Sequence, residues 1–276
     1  MVSATLDRFA VSSYSLHRTL GAMYRDVPGD DGTRPCLRPQ GALSLLDLPA
    51  ALAAHGYHTL EISHPHLPSR ETGYLSELRA AMSDAGVSLL SVLIETGDLT
   101  DPIHGVRDRD WMSRWIETAG LLGAQRARVI AGHAPYTPEN LERSRAALHT
   151  LAQHGQAHGV RVTVENWFDL LATPSAVCTL LDSLEGEVGF NLDFGNWEGP
   201  TKYADLATVF PYAETCHAKC AFLSEYVPDT EDYVRCLGLA QESGFSGPYT
   251  LIYDASGPDE WRGLDIERAM VLPTLL

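Results

Sequence analysis

The chain has 276 residues, 45% of them hydrophobic, and its 36 acidic against 20 basic side chains give a formal net charge of -16. That balance supports an extensive α/β core and argues against disorder. With no Lys/Arg-rich block to offset the acidic excess locally, nucleic acid and anionic membranes are poor partners.

The opening residues carry no signal-peptide apolar core, and the first predicted strand is FAVSSYSL, 9–16. After it, YRDVPGDDGTRPCLRPQGA (24–42) is rich in Gly and Pro and reads as a loop over the catalytic face or as a mobile surface insert. SLLDLPAALAAHG predicts a helix closed by a glycine, and HTLEIS (58–63) the second strand. ETGYLSELRAAMSDAG predicts the next helix, with VSLLSVLIE (87–95) and RARVIAG (126–132) as strands three and four. Thr137-Pro138 opens a helix that Gly159 follows, and RVTVEN (161–166) is strand five. Thr173-Pro174 opens another helix before VGFNLDF (188–194) and AETCHAK (213–219), strands six and seven. DTEDYVRCLGLAQESG predicts a helix leading to YTLIYD (249–254), the eighth strand. Eight such units match a single (β/α)8 TIM barrel over residues 1–276. An open doubly wound sheet normally has fewer strands and often a Gly-rich first turn, absent here. No apolar run approaches the roughly 20 residues that span a bilayer. Five irregularly spaced cysteines suit a reducing, cytoplasmic setting.

In such a barrel the C-terminal strand ends line the active site, which gives their polar residues weight. Glu165 ends strand five, Asp193 strand six, and His217 with Lys219 strand seven. Strand alternation puts His217 and Lys219 on one face and Cys216 and Cys220 on the other, so the cysteines of CHAKC go to the helices as small apolar residues. Glu165, Asp193 and His217 suit a divalent metal such as Mn2+, Zn2+ or Mg2+. Each alone would fit a cap or an ion pair; their occurrence on three successive strands points to a site. Such an ion can bind adjacent oxygens of a sugar or hydroxy-ketone and stabilise an enediolate as a carboxylate removes a proton. Glu61, towards the end of strand two, shares the mouth as a substrate or supporting group. His64 and His66 lie in a Pro-containing loop and read as surface residues. His17 and His133 follow strands one and four. Trp167, Phe168 and Trp197 offer an apolar wall against a sugar ring.

SSYSLHRTLG, SLLDLPAALAAHGYHTLEIS, RVTVENW, GFNLDFGNW, CHAKC and GPYTLIYDASG together resemble the sugar phosphate isomerase/epimerase family of xylose-isomerase-like TIM barrels, in the family's order and over nearly the whole chain. The resemblance implies one divalent metal held by Glu, Asp, His and Glu from strands five to eight, with the two glutamates as acid and base. It places Glu165, Asp193 and His217 at the first three ligand positions, Lys219 on the lysine of a His-x-Lys pattern, and Asn196 at a substrate-contacting position. At strand eight the chain departs: an ungapped match of TLIYDA to S-I-E-Y-E-G sets Ile252 where the fourth ligand belongs and Asp254 on the following glutamate.

The expected function is a metal-dependent isomerase or epimerase of a small sugar, sugar phosphate or related hydroxy-ketone, with Glu165 as ligand and base, Lys219 and Asp254 assisting, and Trp167, Trp197, Asn196 and Glu61 around a carbohydrate-like substrate. A homo-oligomer is compatible with this expectation. The alternatives are a lyase or dehydratase, which needs one base and an acid such as Lys219, and a binding barrel without turnover. The related endonuclease IV architecture, with three zinc ions, is opposed by the net charge and by DFGN, where a histidine ligand would be expected.

Overall fold

Eight short runs of apolar and β-branched residues form strands, and the helix after each lays an apolar stripe over the outside of the sheet. The computed structural model describes residues 8–32 and 34–275. Its barrel strands are β1 (Phe9–Ser12), β2 (Thr59–Ser63), β3 (Ser88–Leu93), β4 (Arg126–Arg128), β5 (Arg161–Glu165), β6 (Gly189–Asp193), β7 (Ala213–Lys219) and β8 (Tyr249–Ile252). All pair in parallel, and β8 pairs with β1 to close the (β/α)8 barrel. Most strands stop short of the apolar run that predicted them. The first ends at Ser12, whose Oγ accepts the Tyr14 N–H at 3.2 Å and turns the chain into helical turns at Ser13–Leu16 and His17–Leu20.

The covering helices are α1 (Leu48–Ala54), α2 (Thr72–Asp84), α3 (Gly105–Leu122), α4 (Pro138–Ala157), α5 (Pro174–Ser183), α6 (Lys202–Val209), α7 (Thr230–Glu242) and α8 (Glu260–Val271). Thr137 and Thr173 cap α4 and α5 by accepting the Asn140 and Ala176 N–H groups at 3.1 and 3.3 Å, and Asp229 caps α7. Each such cap contributes about 1 kcal/mol to an otherwise frayed first turn. Past α1 and α7, Gly56 and Gly244 take φ of +76° and +71°, where a side chain would be strained. Cys216 and Cys220 are buried in the apolar cluster with Tyr233 and Cys236, on the face of β7 away from His217. Among the described residues no helix is long and apolar enough to cross a membrane.

The Gly/Pro-rich insert carries a short antiparallel ribbon, Met23–Tyr24 with Cys36–Arg38, and is anchored by Asp26. The Asp26 carboxylate accepts the Trp111 indole N–H at 2.7 Å from α3 and lies 3.1 Å from Arg34 Nε. This fastening corrects the reading of His64 and His66 as surface residues: both are buried. His64 Nε2 meets the Asp26 carbonyl at 3.2 Å, its Nδ1 accepts the Glu95 N–H at 3.0 Å, and its ring packs edge-on to Trp111 and Trp115. His66 Nδ1 lies 2.9 Å from Ser13 Oγ. Burial lowers both imidazoles to pKa values of about 4, so they are neutral at ordinary pH.

Candidate metal centre and barrel mouth

Glu165, Asp193 and His217 converge at the ends of β5, β6 and β7, with one ligand atom from each lying within 4.8 Å of the others. His217 Nδ1 is 3.2 Å from Glu165 Oε2 and 3.5 Å from Asp193 Oδ2. Register explains the convergence. Glu165 pairs with Asn191, two residues below Asp193, and Asp193 is level with His217, so the three point into the same end of the barrel.

Each ligand candidate is held from behind. Across the barrel, the buried Glu61 carboxylate lies 2.9 Å from His217 Nε2, an arrangement that keeps the proton on Nε2 and turns Nδ1 to the acidic pair. Asp193 Oδ1 accepts the Gly195 N–H at 2.6 Å, which leaves Oδ2 facing the histidine. Asn166 braces the Asp193 backbone, accepting its N–H at 2.8 Å and donating to its carbonyl at 3.0 Å. Glu165 accepts from Asn191 Nδ2 at 2.9 Å and from Asn196 Nδ2 at 2.6 Å, while Thr215 Oγ1 donates to the Asn191 side-chain oxygen Oδ1 at 2.7 Å.

Arg128 and Glu95 were not singled out from sequence, although an arginine inside the run RARVIAG is a signal once strand four faces the lumen. The Arg128 guanidinium is buried, donates from Nη2 to Glu95 Oε2 at 2.9 Å, and sets Nε 3.4 Å from Glu165 Oε2. Glu95 is further held by Ser63 Oγ at 3.0 Å. Burial alone would raise the Glu165 carboxyl, but Arg128 and then His217 outweigh it and bring its pKa to about 2. Burial alone would likewise deprotonate His217, but Glu165 and Glu61 hold its pKa well above the ordinary histidine value. Four carboxylates, Glu61, Glu95, Glu165 and Asp193, thus surround one arginine and one imidazole. That donor set fits a divalent cation, which would supply the positive charge it lacks.

Higher in the mouth, Lys219 Nζ pairs with Asp254 Oδ2 at 2.8 Å, and Tyr14 donates its hydroxyl to Asp254 Oδ1 at 3.3 Å. Ile252 lies level with Lys219 and is buried. Trp197 is buried with its indole N–H on the Leu171 carbonyl at 3.3 Å, whereas Trp167 is half-buried with the Arg128 guanidinium over its ring. Trp167 stacks on Phe168, and Phe168 on His133. Phe168 holds a strained φ of +58°, which turns its ring onto that row. Beyond Asn196 and Trp197 opens a cleft of about 620 Å³ that Phe168 also lines. His17 is half-buried beside Glu260 and does not join the cluster.

A family model for the xylose isomerase-like TIM barrel matches residues 49–269. Among solved structures, the chain is similar to a xylose isomerase-like TIM barrel protein from Mycobacterium smegmatis in complex with magnesium, at 17% identity over 100% of both chains and a TM-score of 0.72. It is similar to an L-ribulose 3-epimerase at 16% identity, covering 98% of this chain and 94% of that one, with a TM-score of 0.73. A 3-keto-D-glucoside 4-epimerase from E. coli matches at 13% identity, over 95% and 98% of the two chains, with a TM-score of 0.67. No curated protein matches in sequence.

Proposed function

The chain belongs to the xylose isomerase-like TIM-barrel family, and from that premise we propose that it is a divalent-metal-dependent isomerase or epimerase of a small carbohydrate-like hydroxy-ketone. The observation that carries this reading is the buried Glu165, Asp193 and His217 cluster with Glu61 behind the imidazole. Those three residues would hold Mn2+, Zn2+ or Mg2+, which when bound supplies Lewis acidity toward adjacent substrate oxygens and stabilises an enediolate. Two of the solved neighbours carry the names of sugar epimerases, an L-ribulose 3-epimerase and a 3-keto-D-glucoside 4-epimerase, which supports an epimerase over other activities.

The surroundings of Glu165 suit a ligand better than a base. Arg128, His217, Asn191 and Asn196 all bear on its oxygens, whereas a general base works best with a pKa near the operating pH. Proton transfer is therefore assigned to Asp254 and Lys219, which face the mouth as an ion pair: the carboxylate accepts a proton from substrate carbon and the ammonium gives one to substrate oxygen. Trp167 forms a wall for the apolar side of a sugar ring, while Asn196 and Trp197 border the adjoining cleft. Asn196 acts chiefly by fixing Glu165. A lyase on the same barrel is the second reading, favoured by Ile252. Hydrocarbon at that point leaves one base and one acid, enough to remove a proton and expel water.

The test is hydrogen–deuterium exchange of ketoses at the carbon next to the carbonyl, with Mn2+-loaded protein in heavy water. Both Glu165→Gln and Asp254→Asn should lower exchange by about 10²-fold or more, but only Glu165→Gln should lose metal. Unchanged exchange in Asp254→Asn would remove Asp254 from the chemistry. Metal binding without exchange on any ketose would favour the lyase.

A further inference from the structure

We propose a second metal site, for a divalent transition metal of the zinc class, formed by Glu117, His154 and His158 on the outside of the barrel. The end of α4 and its C-cap read His154-Gly155-Gln156-Ala157-His158, two histidines four residues apart on one side of the helix terminus. Their rings lie 4.7 Å apart between centroids. Glu117, on the neighbouring α3, brings its Oε1 to 3.1 Å from His154 Nε2, and one donor atom from each of the three lies within 4.8 Å of the others. Two imidazoles and one carboxylate are the donors of many three-ligand zinc sites, and small side-chain rotations would bring them to the roughly 2.0–2.2 Å bonds of a tetrahedral ion whose fourth position is open to water.

A second observation points to a missing partner. His154 Nε2 is shut away from solvent, and although Glu117 is near, no hydrogen bond satisfies that nitrogen. A buried ring nitrogen whose neighbouring carboxylate makes an ion pair but no aligned hydrogen bond is incompletely satisfied, and a metal bond would complete it. The contrast within α4 is His149, whose ring nitrogens are both engaged, Nδ1 by Glu187 and Nε2 by Gln153. The imidazole-rich donor set also separates this site from the barrel centre, whose oxygen-rich set admits magnesium or manganese as readily as zinc. Both helices run against the strands, so their C-terminal ends lie at the opposite face from the mouth. Arg161, three residues past His158, starts β5, and Glu165 ends it about 13 Å away at roughly 3.3 Å per residue. An ion there would tie α3 to α4 without touching the mouth.

The experiment uses full-length protein without a polyhistidine tag, stripped with chelator and titrated with Zn2+ alone. It compares the wild type with His154→Ala/His158→Ala and with Asp193→Asn/His217→Ala, reading stoichiometry by calorimetry and Tm by scanning calorimetry. The helix double variant is expected to bind one equivalent fewer than wild type, and the barrel double variant to retain the helix-site ion. At a hundredfold excess over Kd, that ion should raise the Tm of the barrel variant by roughly 5 °C. An unchanged stoichiometry in the helix variant overturns the proposal, as does a barrel variant that binds no zinc. A wild type with one equivalent, lost only from the helix variant, would support the site while refuting zinc binding in the barrel. Glu117→Gln guards against misfolding of the double variant: it keeps the shape and should weaken zinc at least tenfold, and no weakening would remove Glu117 from the site.

Discussion

Replacing Arg128 by leucine tests whether the mouth is balanced as the geometry implies. The guanidinium is 4% exposed and stands between Glu95 at 2.9 Å and Glu165 at 3.4 Å. Leucine keeps most of the volume but leaves two carboxylates facing one another, and removing one partner of a buried ion pair costs about 3–5 kcal/mol. For a barrel of this size that corresponds to a fall in Tm of roughly 5–9 °C in chelator. Because Arg128 is the strongest influence lowering the Glu165 carboxyl, its pKa should also climb from about 2. A bound cation would offset the same lost charge. Saturating Mn2+ should therefore raise the Tm of Arg128→Leu more than that of the wild type, as read by scanning calorimetry with and without metal. Arg128→Lys should fall between the two, keeping the charge but losing the planar fork. A leucine variant within about 1 kcal/mol of wild type in chelator would refute the reasoning, because water would then be neutralising Glu95 and Glu165. Equal metal stabilisation in both proteins would place the ion away from Glu165.

Replacing Cys216 and Cys220 together by alanine should leave Mn2+ binding intact, whereas His217→Ala should weaken it; loss of metal from the cysteine variant would mean that β7 faces the other way. Metal-free protein should be less stable at high pH through His217. Its pKa is raised in the fold, so its contribution is complete below about pH 6.5, the unfolded value, and is lost as pH rises through the folded one. Urea midpoints across pH should show that decline in chelator, and His217→Asn should flatten it. Ile252→Glu should tighten Mn2+ binding in calorimetry if the pocket at strand eight can admit a carboxylate, and no gain would mean that neighbouring side chains fill it.

Strand order and the position of Glu165, Asp193 and His217 were legible because both follow from short-range pattern. Apolar runs fix the strands, and a period of two fixes which residues share a face. The groups that brace them were not. Asn191 and Thr215 lie inside runs that read as core, and only the register of β5, β6 and β7 brings them in line with Glu165. Arg128 and Glu95 find each other across 33 residues, and His64 is buried by an insert 38 residues away through Asp26. No local propensity encodes such contacts. Asn196 lay in a motif that implied substrate contact, and its amide also bonds to Glu165 at 2.6 Å, a contact the motif does not encode.

Strand eight departs from the ligand pattern that the family resemblance implies. Thr250 is level with His217 and Ile252 with Lys219, so a glutamate at 252 would have reached toward the metal-binding layer from beside the lysine. The chain instead places hydrocarbon there and a carboxylate two residues on, at Asp254, roughly 6.6 Å further along the strand direction. At that height Asp254 meets Lys219 Nζ and the Tyr14 hydroxyl. The carboxylate of strand eight therefore stands at the rim, outside the Glu165, Asp193 and His217 cluster. Glu165, Asp193 and His217 would hold a cation as proposed, and Ile252 would offer it no donor from strand eight. If Glu165, Asp193 and His217 hold the ion and the Lys219–Asp254 pair moves the protons, as proposed, metal content and turnover should separate when Glu165 and Asp254 are changed one at a time.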